Sequence, residues 1–303
     1  MARSIGGYEC LTPMRTAGSG SARWCVASRG LERFFLKEFL SPVYPVREDT
    51  ELGCRQRERC ERFEKQKQRL YEAASCVIGD TLVPVIDFFR FERRYYAVSE
   101  LVTESPITLE EADGLCEEEK RTLLFSLGQC LQRLHAQGIV HADLKPEHVL
   151  LLKLPGGIQA RLIDLDSGFL RGDPPGQMEG DPAYLAPESF LRMTGKEVPV
   201  GPEADTFAFG IIIHRLWTGE WPAFDRERFQ YLYEAALSGD RITLSDKLPA
   251  AYQRTVRGML HASPEARPSD LRVAALFTPR GMRGEAQPPA NGLRHLWKRG
   301  ITP

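Results

Sequence analysis

Hydrophobic and polar positions divide the chain into a first part typical of β-strands and a second part typical of helices. Residues 8–100 are strand-like and punctuated by glycines, and one long charged helix is predicted within them, from about Leu52 to Ala74. A polar connector follows over residues 101–116, and helical patterns dominate from Glu117 onward. The sequence therefore predicts a small β-rich part followed by a larger helical part.

Two helices of the second part have a clear pattern of apolar positions. In one of them leucines recur at steps of three and four residues, and Gly138 ends the run. These leucines are Leu123, Leu124, Leu127, Leu131 and Leu134. The apolar stretch from Phe207 to Trp217 contains two polar residues, a pattern that predicts a buried helix of a soluble domain.

Length and composition exclude several classes of protein. A chain of 303 residues with 42% hydrophobic content can bury one or two cores, and a formal net charge of −1 gives no general attraction to nucleic acid or anionic membranes. The chain has no run of about 18 apolar residues, and its first residues lack the apolar core of a signal peptide. Its seven cysteines show no C-x-x-C pairing and are interpreted as reduced thiols. These features predict a cytoplasmic protein without a nucleic-acid or membrane partner.

The segment of residues 141–151, HADLKPEHVLL, has the groups that phosphoryl transfer to a hydroxyl requires. Asp143 can orient the hydroxyl and accept its proton, and Lys145 can neutralise charge on the phosphate in flight. The segment resembles the catalytic loop of protein kinases, H-R-D-L-K-P-x-N. Ala142 stands where Arg is usual, and His148 stands where the metal-binding Asn is usual.

Two segments near the N-terminus resemble the phosphate-binding elements of the same family. Residues 18–23, GSGSAR, resemble the Gly-rich loop without its third glycine, and residues 34–37, FFLK, resemble the strand that ends in a lysine. Glycines let backbone amides approach phosphates without a Cβ clash. The resemblance implies that Gly18 and Gly20 lie close to the phosphates of ATP and that Lys37 binds them.

The resemblance also implies a hinge and a partner for the lysine. Residues 95–102, YYAVSELV, look like the last strand of the small lobe and the hinge, where backbone groups of Glu100 and Val102 would hold adenine. In kinases a glutamate of the long helix pairs with the phosphate-binding lysine, and glutamates on adjoining turns are the candidates here. The candidates are Glu58, Glu61 and Glu64, of which we favour Glu64, with Glu61 second.

An Asp-Leu-Asp sequence at residues 164–166 stands where kinases have Asp-Phe-Gly, whose Asp binds the magnesium bridging the phosphates. Asp164 follows an apolar strand as in the family, whereas choosing Asp166 would bury Asp164 within that strand at a considerable cost. We therefore take Asp164 as the metal ligand, with Asp166 as its support or near a second ion. His148 is the second predicted metal residue, and imidazole suits Mn²⁺ better than Mg²⁺.

Later segments resemble further kinase motifs. Residues 180–188 resemble the G-T-P-x-Y-x-A-P-E end of an activation segment, residues 205–210 resemble D-x-W-S-F-G, and a late Arg-Pro completes the series. The resemblance implies a buried ion pair between Glu188 and Arg267, and it implies that Asp205 hydrogen-bonds the backbone of the catalytic loop. Small-molecule kinases usually lack these elements, so they favour a Ser/Thr protein kinase.

The fold that the resemblance implies is α+β and bilobal, with a β-rich N-lobe containing one long helix and a mainly helical C-lobe. The implied divisions are a kinase domain at 8–278, with an N-lobe at about 8–99, a hinge at 100–102 and a C-lobe at 103–278, and a flexible tail at 279–303, rich in Pro, Gly and Arg.

The implied function is transfer of the γ-phosphate of ATP to Ser or Thr hydroxyls of a protein substrate, with Mg²⁺ or Mn²⁺ as the metal. Activation-loop phosphorylation is not expected, because Ala142 replaces the Arg that would bind the phosphate and Ser167 is the only hydroxyl residue between positions 165 and 180. The departures are closer to divergent bacterial kinases than to animal ones. A pseudokinase that binds nucleotide as a scaffold and a small-molecule kinase are the alternatives.

Overall fold

Seven short strands of the first part pair into one antiparallel sheet, in the order β1-β2-β4-β5-β7-β6, with β3 beside β4. The strands are β1 (Ser4–Ile5), β2 (Tyr8–Cys10), β3 (Arg15–Thr16), β4 (Ala22–Arg29), β5 (Glu32–Phe39), β6 (Val85–Phe91) and β7 (Arg94–Glu100). The sheet begins ahead of the predicted domain start at residue 8, because Gly6 and Gly7 adopt positive φ and turn β1 back onto β2.

The structure is a computed structural model that describes residues 3–17, 20–77, 79–102, 107–154, 157–176 and 178–279. Gly18 of the predicted phosphate loop lies outside the described residues, as does the predicted tail from residue 280 onward. Within the described ranges, no helix is long and apolar enough to cross a membrane.

Strand β5 places two oppositely charged neighbours on opposite faces of the sheet. Successive side chains of a strand point to opposite faces, so Lys37 and Glu38 cannot share one. Glu38 is 1% exposed, and its carboxylate contacts Arg23 at 2.7 Å, Arg94 at 3.3 Å and the hydroxyl of Tyr96 at 3.3 Å. These partners belong to β4 and β7, so one buried carboxylate joins the three central strands.

Helix α1 (Glu51–Ser75) confirms the predicted long helix. It begins at Thr50, whose hydroxyl accepts a hydrogen bond from the backbone N–H of Gly53 at 3.0 Å. The buried face that packs towards the sheet is made largely of small and apolar residues but includes a lysine. The buried residues of α1 are Gly53, Cys60, Lys67, Leu70, Tyr71 and Ala74.

The second part of the chain is mainly helical and contains two short antiparallel strand pairs. Its helices are α2 (Leu109–Asp113), α3 (Glu117–Ala136), α4 (Pro187–Met193), α5 (Glu203–Thr218), α6 (Leu232–Ser238), α7 (Ala250–Met259) and α8 (Asp270–Leu276). Its strands are β8 (Ile139–Val140), β9 (Val149–Leu154), β10 (Gly157–Leu162) and β11 (Phe169–Leu170), with β9 paired to β10 and β8 to β11.

The two predicted helical patterns of this part are confirmed. The leucines of α3 are all within 1% of complete burial, and Gly138 follows the helix with φ of 72°, a conformation that favours glycine. Helix α5 is buried along nearly its whole length, as its apolar sequence predicts. The fold is therefore the predicted bilobal α+β arrangement, and strand β7 ends at Glu100 where the sheet passes to the helical lobe.

Candidate functional site

A carboxylate of α5 fixes the backbone of the loop between β8 and β9. Asp205 accepts hydrogen bonds from the backbone N–H groups of His141 and Ala142, each at 2.8 Å, as predicted. Ala142 has φ of 65°, a left-handed conformation that costs a non-glycine residue about 1–2 kcal/mol. The two hydrogen bonds to Asp205 hold the loop in this conformation, and the strain therefore lies directly before Asp143.

Asp143 and Lys145 lie side by side, as the loop sequence predicts. The Nζ atom of Lys145 lies 3.3 Å from one carboxylate oxygen of Asp143 and 3.7 Å from a carboxylate oxygen of Asp181. The other carboxylate oxygen of Asp143 accepts a hydrogen bond from the backbone N–H of Asp181 at 2.9 Å. Lys145 therefore lies between two carboxylates, and Asp143 is oriented from both sides.

His148 links the loop to the Asp-Leu-Asp segment. Its Nδ1 lies 2.8 Å from the backbone carbonyl oxygen of Asp143, and its Nε2 lies 3.7 Å from a carboxylate oxygen of Asp164. A carbonyl oxygen only accepts, so Nδ1 carries the hydrogen, and Nε2 of the neutral ring has a free lone pair. This is the arrangement in which metal-binding histidines are usually held.

Asp164 and Asp166 both contact Lys37. Their carboxylate oxygens lie 2.8 Å and 2.6 Å from its Nζ. Asp164 also adopts a left-handed φ of 65°, and its second oxygen accepts the backbone N–H of Asp166 at 3.1 Å. The sequence offered these two aspartates as competing candidates, and the structure brings both to the same lysine.

These contacts shift the pKa values of the three groups in different directions. Burial alone would lower the pKa of Lys37, but the charges of Asp166 and Asp164 outweigh burial and raise it. Burial would raise the pKa of Asp164, but the charge and hydrogen bond of Lys37 and the backbone N–H of Asp166 hold it well below its usual range. Burial and the charge of Asp164 raise the pKa of Asp166. Asp164 is thus the more firmly ionised carboxylate of the pair.

The structure does not bring Glu64 to Lys37, and this departs from the prediction. The carboxylate of Glu64 instead accepts the hydroxyl of Tyr95 at 3.2 Å, while Glu61 is exposed and lies 3.5 Å from Arg57. The residue of α1 that faces the site is Lys67, three positions further on. The reason is the position of each residue around the helix. Lys67 lies on the buried face of α1, whereas the glutamates lie at the edge of that face or on the exposed side.

Gly20, Glu100 and Val102 are the remaining predicted nucleotide residues that the structure describes. Gly20 has φ of 72° and open space where a Cβ would lie. Glu100 ends β7, and its carboxylate pairs with Arg161 at 2.5 Å. Val102 and Ile163 pack on an apolar cluster that consists of Val83, Leu150 and Leu152 and joins the lobes.

Two buried groups support the site from the helical lobe. The carboxylate oxygens of Glu188 accept hydrogen bonds from Arg267 at 2.6 Å and 2.8 Å, which confirms the predicted ion pair. His135, which the sequence analysis did not single out, lies with Nε2 2.8 Å from Asp205 and Nδ1 2.5 Å from Asp270. Its position at the end of an otherwise leucine-lined helix was the only signal for it in the sequence.

The pH dependence of stability is expected to report on His135. Burial lowers its pKa, but the hydrogen bonds to Asp205 and Asp270 outweigh burial and raise it from 6.5 to about 9. Its contribution, on the order of 3 kcal/mol, is therefore fully present below pH 6.5 and is lost as the pH rises through about 9. Urea unfolding between pH 6 and pH 9.5 should show a steeper loss of stability for wild type than for His135→Gln. The exposed His261→Gln serves as control, and equal pH slopes for wild type and His135→Gln would contradict the assignment.

The structure combines a β-rich lobe with a helical lobe. Within the helical lobe, an aspartate of α5 fixes the loop that carries the paired acid and lysine, and a buried Glu–Arg pair lies further on. This combination defines the scaffold of protein kinases. The chain belongs to the protein kinase domain family, whose model matches residues 55–277. The match begins within α1, so Gly20 and Lys37 lie ahead of it and depend on the resemblance of their own segments and on the contacts above.

Curated relatives are kinases of several kinds. The chain is 32% identical over 161 residues to a probable myosin light chain kinase of Dictyostelium discoideum, covering 52% of this chain and 51% of that protein. It is 30% identical over 202 residues to the liver/testis isoform of the human phosphorylase b kinase gamma catalytic chain, covering 61% of this chain and 47% of that protein. The match to a hormonally up-regulated neu tumor-associated kinase homolog of Xenopus tropicalis is 30% over 197 residues, 62% of this chain and 27% of that protein. The chain thus spans about half or less of these relatives.

Proposed function

We propose that this protein is a protein kinase that transfers the γ-phosphate of ATP to Ser or Thr hydroxyls of a protein substrate. The observation that carries the proposal is the placement of Asp143 beside Lys145, with Lys37 and Asp164 joined nearby. Asp143 accepts the proton of the substrate hydroxyl while the substrate oxygen bonds to the γ-phosphorus and the bond to the β-phosphate oxygen breaks. Lys145 stabilises the charge on the phosphoryl group in transit.

The nucleotide is held by the border of the interlobe cleft. We assign Gly18 and Gly20 to the loop that holds the phosphates, Lys37 to direct phosphate binding, and backbone groups of Glu100 and Val102 to the adenine ring. The apolar cluster beneath Val102 supports this assignment, because an aromatic base is best held between apolar surfaces with a few polar groups at its edge. The kinase domain proposed for these roles covers residues 8–278, in a cytoplasmic protein.

Asp164 and His148 fit a divalent cation. The carboxylate of Asp164 is firmly ionised, and the Nε2 lone pair of His148 lies 3.7 Å from one of its oxygens. Within the residues that the structure describes, no third His, Cys, Asp or Glu joins them in a preformed cluster, so the phosphates would complete the ligand set. A bound Mg²⁺ or Mn²⁺ would neutralise charge on the phosphates. Asp166 supports Asp164 through their shared contact with Lys37.

Transfer from labelled ATP to a panel of general protein substrates tests the proposal, with both Mg²⁺ and Mn²⁺ offered. Phosphoamino-acid analysis of the labelled protein should give phosphoserine or phosphothreonine and no phosphotyrosine. Label appearing only on a metabolite would replace the proposal by a small-molecule kinase. ATP binding without transfer would favour the pseudokinase, for which the replacement of Asn by His148 is the specific observation.

Metal preference is expected to follow residue 148. Imidazole nitrogen suits Mn²⁺ better than the harder Mg²⁺, whereas an amide oxygen suits both. His148→Asn should therefore raise the ratio of Mg²⁺-supported to Mn²⁺-supported transfer by about tenfold or more relative to wild type. His261→Asn at an exposed site is the matched control. An unchanged ratio would mean that His148 only braces the loop through Asp143.

Activity is expected without phosphorylation of the activation segment. Ser167 is the only hydroxyl residue between positions 165 and 180, and Ala142 offers no guanidinium to bind a phosphate. Ser167→Ala should keep the rate of transfer within about twofold of wild type, with intact mass confirming that the active wild-type protein carries no phosphate there. Wild-type activity that appears only with a phosphorylated Ser167 would contradict the expectation.

A further inference from the structure

Lys67 is a charged residue on the buried face of α1, where apolar side chains are expected. It is 7% exposed. Its ammonium nitrogen lies 5.8–5.9 Å from the ring centroids of Phe39, Phe63 and Tyr71, which surround it. Cation–π contacts of this kind offset only part of the cost of removing an ammonium group from water. A lysine in such a position therefore needs further partners.

Those partners are supplied by the Asp-Leu-Asp segment. The ammonium group of Lys67 donates hydrogen bonds to the backbone carbonyl oxygens of Leu165, at 3.4 Å, and of Asp166. The helix is thus joined to the backbone of the segment directly. Lys67 also adds a second positive charge beside Lys37, whose ammonium group alone contacts the carboxylates of both Asp164 and Asp166.

We propose that Lys67 and Asp166 together orient Lys37, the role that the family resemblance implies for a glutamate of the long helix. Asp166 holds Lys37 at 2.6 Å, and Lys67 holds the backbone of Asp166 against α1. In this arrangement the helix supplies a positive group, Lys67, and the Asp-Leu-Asp segment supplies the carboxylate that binds Lys37. The predicted arrangement had the carboxylate on the helix. Lys67 is therefore a positioning residue that orients Lys37 through Asp166. This inference rests on the proposed function for its link to ATP binding.

A double-mutant cycle tests the pairing. The affinity for a fluorescent ATP analogue and the free energy of unfolding without nucleotide are measured for wild type, Lys67→Met, Asp166→Asn and the double variant. Each single change leaves one unbalanced charge beside Lys37, so each should weaken nucleotide binding by about tenfold, and the double variant should weaken it by less than the product of the two. Lys65→Met, on the exposed face of α1, is the matched control and should leave the affinity unchanged.

Moving the carboxylate back to the helix is the sharper test. Lys67→Glu alone places three carboxylates around Lys37 and should weaken nucleotide binding by more than Lys67→Met does. Adding Asp166→Gly removes one carboxylate and leaves the new helix glutamate to hold Lys37. This second change should recover at least about tenfold in affinity. A double variant that binds no better than Lys67→Glu would overturn the inference.

The two measurements separate this inference from the proposed function. If wild type binds no nucleotide, the proposed function fails, and the unfolding cycle alone decides the role of Lys67. Unfolding free energies that simply add for Lys67→Met and Asp166→Asn would then overturn the pairing, and a marked departure from additivity would support it. If wild type binds nucleotide and Lys67→Met changes only stability, Lys67 is a packing residue and the inference is wrong.

Discussion

Asp143→Asn is expected to reduce the rate of phosphate transfer by about 10²–10⁴ while leaving ATP affinity nearly unchanged, because a positioned general base contributes that much. Asparagine keeps the size of the side chain and can still accept the backbone N–H of Asp181, which lies 2.9 Å from the carboxylate of wild type. The substitution removes the basic oxygen without removing its support.

Initial rates of transfer from labelled ATP, with nucleotide affinity measured in parallel on the same preparations, test this expectation. Asp246→Asn at an exposed position is the matched control. A rate within about threefold of wild type would show that Asp143 is not the base. A fall in rate that is matched by an equal fall in ATP affinity would show that the change had disturbed the site as a whole.

Arg267→Met is expected to destabilise the protein by about 3–5 kcal/mol. The side chains of Arg267 and Glu188 are 0% and 5% exposed. The guanidinium also donates to the backbone carbonyls of His261, Glu203 and Ala262 at 2.9, 2.7 and 3.1 Å. Removing it leaves a buried carboxylate and three carbonyl groups without their donor, and this unpaired state is what makes the loss large.

Thermal and urea unfolding measure the effect, which corresponds to a fall in Tm of roughly 6–20 °C. Arg241→Met, an exposed arginine, should change the stability little. The double variant Arg267→Met with Glu188→Leu should recover part of the loss, since it no longer buries an unpaired charge. A cost below about 1 kcal/mol for Arg267→Met would show that water or neighbouring groups replace the arginine.

The sequence predicts the scaffold of this protein well because scaffold motifs are local. The acid and the lysine of the catalytic loop lie only two residues apart. The contact between Asp205 and the loop backbone joins two motifs, one in the loop and one in α5, and each is short enough to be identified by itself. Helix α1 was predicted within one residue at each end for the same reason, since a long run of charged residues is a property of the segment itself.

The charge arrangement of the cleft was not predictable in the same way. Helix α1 carries charged residues along most of its length, and this pattern is typical of a solvated surface. Lys67 lies seven residues after buried Cys60 and four before buried Tyr71, and this helical spacing puts the three side chains on the same buried face. Only the contact with the Asp-Leu-Asp segment, about a hundred residues away in the chain, shows why a lysine is stable there.

Glu38 has a consequence for the accuracy of folding. A shift of β5 by one residue against its neighbours would exchange the faces of Lys37 and Glu38. A carboxylate would then take the place of Lys37, which we propose binds the phosphates of ATP. The same shift would move Glu38 away from Arg23 and Arg94 and bury Lys37 beside two guanidinium groups. Pairing of β5 in the shifted register would therefore be disfavoured by the charges on both faces of the sheet. The buried carboxylate of Glu38 thus favours the register that leaves Lys37 facing the site.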